Sequence, residues 1–451
     1  MQPIKKYKEL FNRSLLLRRI GKNFSIGVAG SGLLLVLSLG NTALLTKNLP
    51  IEDYGRILVV LNFYSLAAMF FGLRVNDFIY RFFPQFKEQE EILELKGMLV
   101  LSFLISLVVG LIVGTGTFMT SSWISQIFYK DLTYVPLFRI YAVGAFFLAF
   151  EGFYISILRL HDRFLLIVIC QVAGRAVPLI LIGTYILYFK TLTVAFAVWM
   201  KTVGVMITVL PALIISIIYI WPVINNTSGL GLASLKKHRK HLLSNLFQTN
   251  LIGYLKMGSD TGGMFLLGVL ASPTQVALYG IARQLATVLK IMQSNIQNAF
   301  TPEIVSLWAQ KKIRQLYQLV NGYTKWSLIV GAIITIISIA LAKPIILIFT
   351  TADYIPALPV FYVFIFTIYM TFVSLIFFPL ALTMDKLGHR NLIVAIRFIY
   401  LLIALMIGLS AMTLALVQFF GVLTTRLFND MPLLRDLRNL AKRHDSKESL
   451  T

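Results

Sequence analysis

Apolar runs about twenty residues long recur from one end of this chain to the other, and few folds can accept them. A helix of that length spans a hydrocarbon core about 30 Å thick. Only 13% of the residues are charged, roughly half the share found in soluble domains. The runs are continuous rather than alternating, so they do not read as the strands of a transmembrane barrel. The sequence therefore predicts an all-α polytopic membrane protein with about 12 transmembrane helices. They begin near residues 24, 55, 97, 135, 164, 192, 243, 275, 326, 356, 391 and 411.

A formal net charge of +22 invites a nucleic-acid partner, but the placement of the charges argues against one. Basic residues cluster in every second connection. Lys5, Lys6, Lys8, Arg13, Arg18, Arg19 and Lys22 precede the first span, and Lys87 and Lys96 follow the second. Arg159 and Arg163, then KKHRK (236–240), then Lys311, Lys312 and Arg314 continue the series. Lys386 and Arg390, and finally Arg435, Arg438, Lys442 and Arg443, complete it. The intervening connections carry only isolated cations such as Lys47, Lys130, Lys190 and Lys343. By the positive-inside rule both termini lie in the cytoplasm, with the helices in the plasma (inner) membrane. The basic, amphipathic opening suits either a helix lying on the anionic inner leaflet or a tail held there by charge alone. The apolar run after it is too long for a cleaved signal and reads as a retained anchor. The single cysteine, Cys170, excludes a disulfide framework.

The chain also repeats itself. Pro50 with Tyr54-Gly55 is echoed by Pro273 with Tyr279-Gly280. Ile127-Phe128 before Tyr134-Val135-Pro136 is echoed by Ile348-Phe349 before Tyr354-Ile355-Pro356. His161-Asp162-Arg163 is echoed by Gly388-His389-Arg390. The echoes keep their order and a separation near half the chain, which corresponds to six spans. An even number gives both halves the same orientation, a parallel repeat of the kind seen in transporters that rock about a central site. The expected organisation is a basic segment 1–23, a six-helix bundle 24–231, a basic cytoplasmic linker 232–242, a second bundle 243–428 and a tail 429–451. The two bundles are expected to enclose a cavity.

Four stretches carry a resemblance: LPIEDYGRILVVLNF (49–63), SPTQVALYGIARQLA (272–286), AKPIILIFTTADYIPALPV (342–360) and DKLGHRNLIVA (385–395). They resemble the Wzx-type polysaccharide flippases, oligosaccharide-lipid translocases of the MATE-like multidrug/oligosaccharidyl-lipid/polysaccharide exporter superfamily. The resemblance implies a V-shaped pair of six-helix lobes. It implies movement of an undecaprenyl-diphosphate-linked oligosaccharide (an O-antigen, capsule or exopolysaccharide repeat unit) from the inner to the outer leaflet by alternating access. It also implies membrane lipids, a polysaccharide polymerase and glycosyltransferases as partners, with no cofactor. Two departures stand out. The last two spans are joined at Leu409 and Ser410 almost without a loop. The further pair of spans found in peptidoglycan-precursor flippases is missing, which counts against a lipid II substrate.

Charges inside the apolar runs point to chemistry. FFGLRVNDFIYRFF (70–83) sets Arg74, Asp77 and Arg81 on one helical face. A charge at a helix centre costs about 2.5–3.5 kcal/mol on insertion scales, so such residues should face the protein interior or water. The cations Arg74, Arg175, Lys201, Lys256, Arg283, Lys290 and Arg397 outnumber the carboxylates Asp77, Glu151 and Asp260. A cationic surplus in a low-dielectric wall attracts anions, and arginine can grip a diphosphate with two parallel hydrogen bonds. These seven cations are the expected substrate path, with Arg175 and Arg283 foremost. Arg74 with Asp77, and Lys256 with Asp260, also fit intrahelical ion pairs, and Arg397 also fits a cation snorkelling at a span end. The three carboxylates are candidates for proton or sodium coupling. Arg81, Arg139 and Lys325 lie near span ends and stay outside the site.

The sequence argues against most other chemistry. GVAGSG (27–32) lacks the Gly-Lys-Ser/Thr of a phosphate loop and reads as a helix-packing stretch. The five histidines fall in cytoplasmic segments without metal-ligand spacing, and no nucleophile shares a motif with a base, so neither a metal site nor catalytic residues are expected. Pro84 and the stretch Asn298 to Pro302 are expected to end their helices at the cytoplasmic face. A drug or metabolite antiporter would need an acidic cavity for its cationic substrates. A glycan polymerase or ligase would need a large outer loop. An anion channel would need a continuous polar pore, which the sequence leaves open.

Overall fold

The structure is a computed structural model, and it describes residues 27, 29–71, 75–225, 229, 231–238, 262–384 and 386–448. Among these residues there are helices and turns and no strand. Contacts divide the chain into two compact units, Met1–Asn48 with Phe63–Tyr254, and Leu49–Asn62 with Leu255–Thr451.

The first half runs through α1 (Ala29–Asn48), α2 (Ile51–Phe71), α3 (Val75–Glu88), α4 (Ile92–Tyr129), α5 (Val135–Leu148), α6 (Glu151–Leu160), α7 (Phe164–Phe189) and α8 (Val194–Asn225). Helix α2 gives its opening turns, through Asn62, to the second unit. There Tyr54 meets Tyr354 edge to face at 6.2 Å, and Gly55 lies directly against the Pro273 carbonyl. The second half contains α9 (262–270), α10 (Pro273–Ala309), α11 (Ile313–Ala340), α12 (Ala342–Phe349), α13 (Leu358–Val373), α14 (Phe377–Thr383), α15 (Leu387–Ala395), α16 (Arg397–Ile407), α17 (Ala411–Thr425) and α18 (Met431–Glu448).

Eight helical stretches among the described residues are long and apolar enough to cross a membrane. Their side chains are arranged inside out. On α4, Ser102, Ser106, Gly110, Gly114 and Ser121 are buried, while Leu104, Val108, Leu111, Ile112 and Met119 are exposed. On α11, Ser327, Gly331, Thr335 and Ser338 face inward and Ile329, Ile333, Ile336 and Ile337 face outward. Lipid is as apolar as leucine, so helices gain by packing closely through small residues and leaving bulky ones to the acyl chains. The inward hydroxyls satisfy themselves locally: Ser102 donates to the Met98 carbonyl at 2.8 Å and Ser106 to the Ser102 carbonyl at 3.1 Å.

The four remaining expected spans differ. The one near 55 is α2, which is not among the eight and whose first turns carry Glu52, Asp53 and Arg56. The one near 275 is α10, whose Arg283, Lys290, Gln293 and Gln297 interrupt its apolar character. The one near 391 is broken into the short helices α15 and α16. Most of the stretch expected near 243 lies outside the described residues. The two prolines expected to end helices do not. Helix α3 runs past Pro84 to Glu88, and α10 runs past Pro302 to Ala309. In α3 the reason is packing, because Phe78, Phe82 and Phe86 form a ladder with ring centroids 5.1 and 6.0 Å apart, all fully buried. That buried face holds the helix together where the proline removes a backbone hydrogen bond.

The basic stretch after α8 is packed rather than extended. Leu235 is buried in the same hydrophobic cluster as Phe78 and Phe82, Gly231 lies against the backbone of Gly97, and Lys237 pairs with Glu91 at 3.3 Å. Between α16 and α17 the chain turns within Gly408 (φ +115°), Leu409 and Ser410. Ser410 then caps α17 through a reciprocal bond with Thr413.

Candidate functional site

In the first unit, α7 and α8 cross at Gly174 and Gly204. A side chain on either glycine would collide with the carbonyl of the other, so only glycine lets the two backbones come this close. The crossing sets Arg175, next to Gly174, near Lys201, one turn before Gly204. Both are tied to α1 through the buried Asn41. Asn41 Nδ2 donates to the Arg175 carbonyl at 3.1 Å, and its Oδ1 accepts from Lys201 Nζ at 3.4 Å. The Arg175 guanidinium donates to the Leu34 carbonyl at 2.7 Å and is otherwise exposed. Among the described residues no carboxylate lies within ion-pair distance of Arg175 or Lys201. Among the described residues both cations are hydrogen-bonded to neutral oxygens, which leaves charge available to an anion.

The carboxylate of this region is Glu151. It opens α6 at the break after α5, where the Phe150 amide bonds only three residues back, to Phe147. An acid at a helix start is favoured by the free backbone N–H groups there, and a broken helix within a span is where transporters place polar groups. Glu151 is exposed and close enough to Arg175 for the two charges to act on each other. The start of α3 packs beside it, with the Asn76 backbone against Gly152, and Asp77 is half-buried one residue further on.

In the second unit a cavity of about 400 Å³ is lined by Lys290 on α10, Arg390 on α15 and Arg397 on α16, with Gln293, Ser374 and Thr425. Among the described residues no carboxylate lines it. Gln293 is fixed by donating to the Ile368 carbonyl at 2.9 Å, and the stem of Arg397 lies over the bare Cα of Gly421. Behind the wall, a π-helical turn, Arg426–Asp430, joins α17 to α18. It buries Asp430 completely, 3.3 Å from the Arg390 guanidinium and 4.0 Å from that of Arg426. Arg390 also lies over the Phe378 ring at 5.6 Å, and Arg426 over Phe377 at 5.0 Å. Arg283 stands two turns before Lys290 on α10, half-buried, with its guanidinium 3.9 Å from Met264 Sδ.

The sequence-derived residues thus fall into two groups. Glu151, Arg175 and Lys201 come together in the first unit, and Lys290 and Arg397 in the second. Arg74, Lys256 and Asp260 lie outside the described residues. Sequence reasoning missed Asn41, a polar residue inside the first span, and it counted Arg390 only as a marker of topology. It also missed Asp430. The visible signal there was an acid four residues after Arg426, at the end of an apolar run.

The helices, their outward apolar faces and the polar clusters within them define an all-α, multi-pass membrane protein with the fold of MOP-superfamily transporters. Three solved structures show the likeness. An inward-facing multidrug resistance MATE family transporter of the MOP superfamily matches with a TM-score of 0.69 at 14% identity, covering 90% of this chain and 96% of its own. The lipid II flippase MurJ in an inward closed conformation matches at 0.62 and 13%, covering 91% and 89%. A MOP-superfamily transporter from Pyrococcus furiosus, described as having a binding pocket of reverse polarity, matches at 0.58 and 14%, covering 92% and 95%. The chain itself belongs to the polysaccharide biosynthesis protein family, whose profile matches residues 20–308. No curated protein matches it.

Proposed function

We propose that this protein is a flippase for an undecaprenyl-diphosphate-linked oligosaccharide, moving it from the inner to the outer leaflet of the plasma membrane by alternating access, with both termini in the cytoplasm. The observation that carries this reading is the bonding of Arg175 and Lys201. Two cations within apolar helices are held by the neutral oxygens of Leu34 and Asn41 and by no acid among the described residues. Cations arranged in this way, in a low-dielectric setting, favour an anion strongly. A lipid diphosphate supplies that anion on a molecule already in the membrane. Family membership supports a role in polysaccharide assembly, and the MurJ likeness supplies the precedent of a lipid-linked cargo. The cationic surplus argues against an antiporter for cationic drugs. Arg74, Lys256 and Arg283 are proposed as further substrate contacts, and Asp77, Glu151 and Asp260 are the candidates for ion coupling.

The test is transport in proteoliposomes loaded with a fluorescent polyprenyl-diphosphate oligosaccharide. Arg175→Gln and Arg283→Gln are each expected to lower the flipping rate at least about tenfold, the loss of one charge-assisted contact, with insertion and yield unchanged. Normal transport by both variants would overturn the reading.

A further inference from the structure

We propose that Arg390 is a diphosphate-binding residue of the second-unit cavity and that Asp430 is the positioning residue that aims it. The inference rests on the flippase reading and assigns a headgroup subsite within it.

By its place in the sequence Arg390 belongs to a cytoplasmic basic cluster, where a cation would point freely into water. The structure holds it otherwise. Its side chain is only 17% exposed, one Nη1 bond goes to the buried Asp430, and the Phe378 ring covers one face. A guanidinium carries five N–H donors. Among the described residues these others have no protein acceptor, and the residue lines the cavity. A donor set fixed from behind and open in front is preorganised for an incoming anion.

The charges around it agree. Lys290 and Arg397 bring two more cations from two further helices to the same lining, and no acid is among the described lining residues. Asp430 does not cancel them, because it is shared with Arg426 on its other oxygen. One carboxylate between two arginines leaves a positive surplus on the cavity side. The cavity, about 400 Å³, falls in the size range of about 300–1,000 Å³ typical of small-ligand sites. Asp430 itself has no surface toward the ligand, so its contribution is orientation: it fixes one edge of Arg390 so that the remaining edge can meet two phosphate oxygens.

Farnesyl diphosphate is a soluble probe for this chemistry, with farnesol as the reference lacking the anion. Binding of each to the full-length protein in detergent gives a diphosphate-to-alcohol preference that partial unfolding, which weakens both, does not mimic. Wild type is expected to favour the diphosphate, and Arg390→Gln to lose roughly tenfold or more of that preference with farnesol binding unchanged. Asp430→Asn should lose part of it and Asp430→Glu should restore part. If Arg390→Gln yields too little folded protein because Asp430 loses a partner, the double variant R390Q/D430N removes both charges and gives the same readout. An unchanged preference at Arg390 overturns the inference, and the flippase reading stands apart from it if Arg175→Gln still lowers the flipping rate about tenfold. Equal losses for both ligands at Asp430 overturn its positioning role. A wild type indifferent to the diphosphate overturns this subsite and the flippase reading together.

Discussion

Asn41 shows how much a single neutral side chain can organise. It is 4% exposed, bonds to two cation-bearing helices at once, and gives Lys201 its oxygen. Asn41→Leu keeps the volume but leaves the ammonium without that acceptor. The expected loss is about 1.5–3 kcal/mol, the value of a hydrogen bond to a charged group, measured as a lower melting temperature in detergent with the protein still inserted. At this scale the sequence was informative only in part. Arg175 and Lys201 announced themselves, since a charge in an apolar run has few explanations. Asn41 did not, because a single amide in a span has no period or motif. Arg390 was obscured by its own neighbourhood: beside Lys386 and after a span, it reads as one more cytoplasmic cation until packing reveals the acid behind it.

Element by element, the helices follow from length and hydropathy, while their ends follow from packing. The ladder of Phe78, Phe82 and Phe86 carries α3 through Pro84, a long-range effect that a local proline rule cannot anticipate. The split of α5 from α6 was equally hidden, since no glycine or proline marks Ala149 or Phe150. The α7–α8 crossing was legible only as two glycines among many. Gly204→Leu is expected to force these helices apart and to cost about 1–3 kcal/mol or more, the usual penalty of overpacking. It should also reduce transport by separating Lys201 from Asn41. Ile336→Ala on the outward face of α11 serves as the control, with thermal stability and flipping near wild type.

For the molecule as a whole, the apolar runs revealed the membrane class, but not the grouping of Leu49–Asn62 with the second unit. No periodicity encodes which partner a helix chooses. Expressed alone, residues 239–451 are expected to be cleaved rapidly in limited proteolysis, whereas the same fragment supplied with residues 1–238 as a second chain should resist. The contact of Gly55 with the Pro273 carbonyl, and of Tyr54 with Tyr354, is the reason. Half of the chain and a unit that stands up by itself do not coincide. A gene cut at the midpoint would hand the later product a wall with one stave left behind in the earlier one.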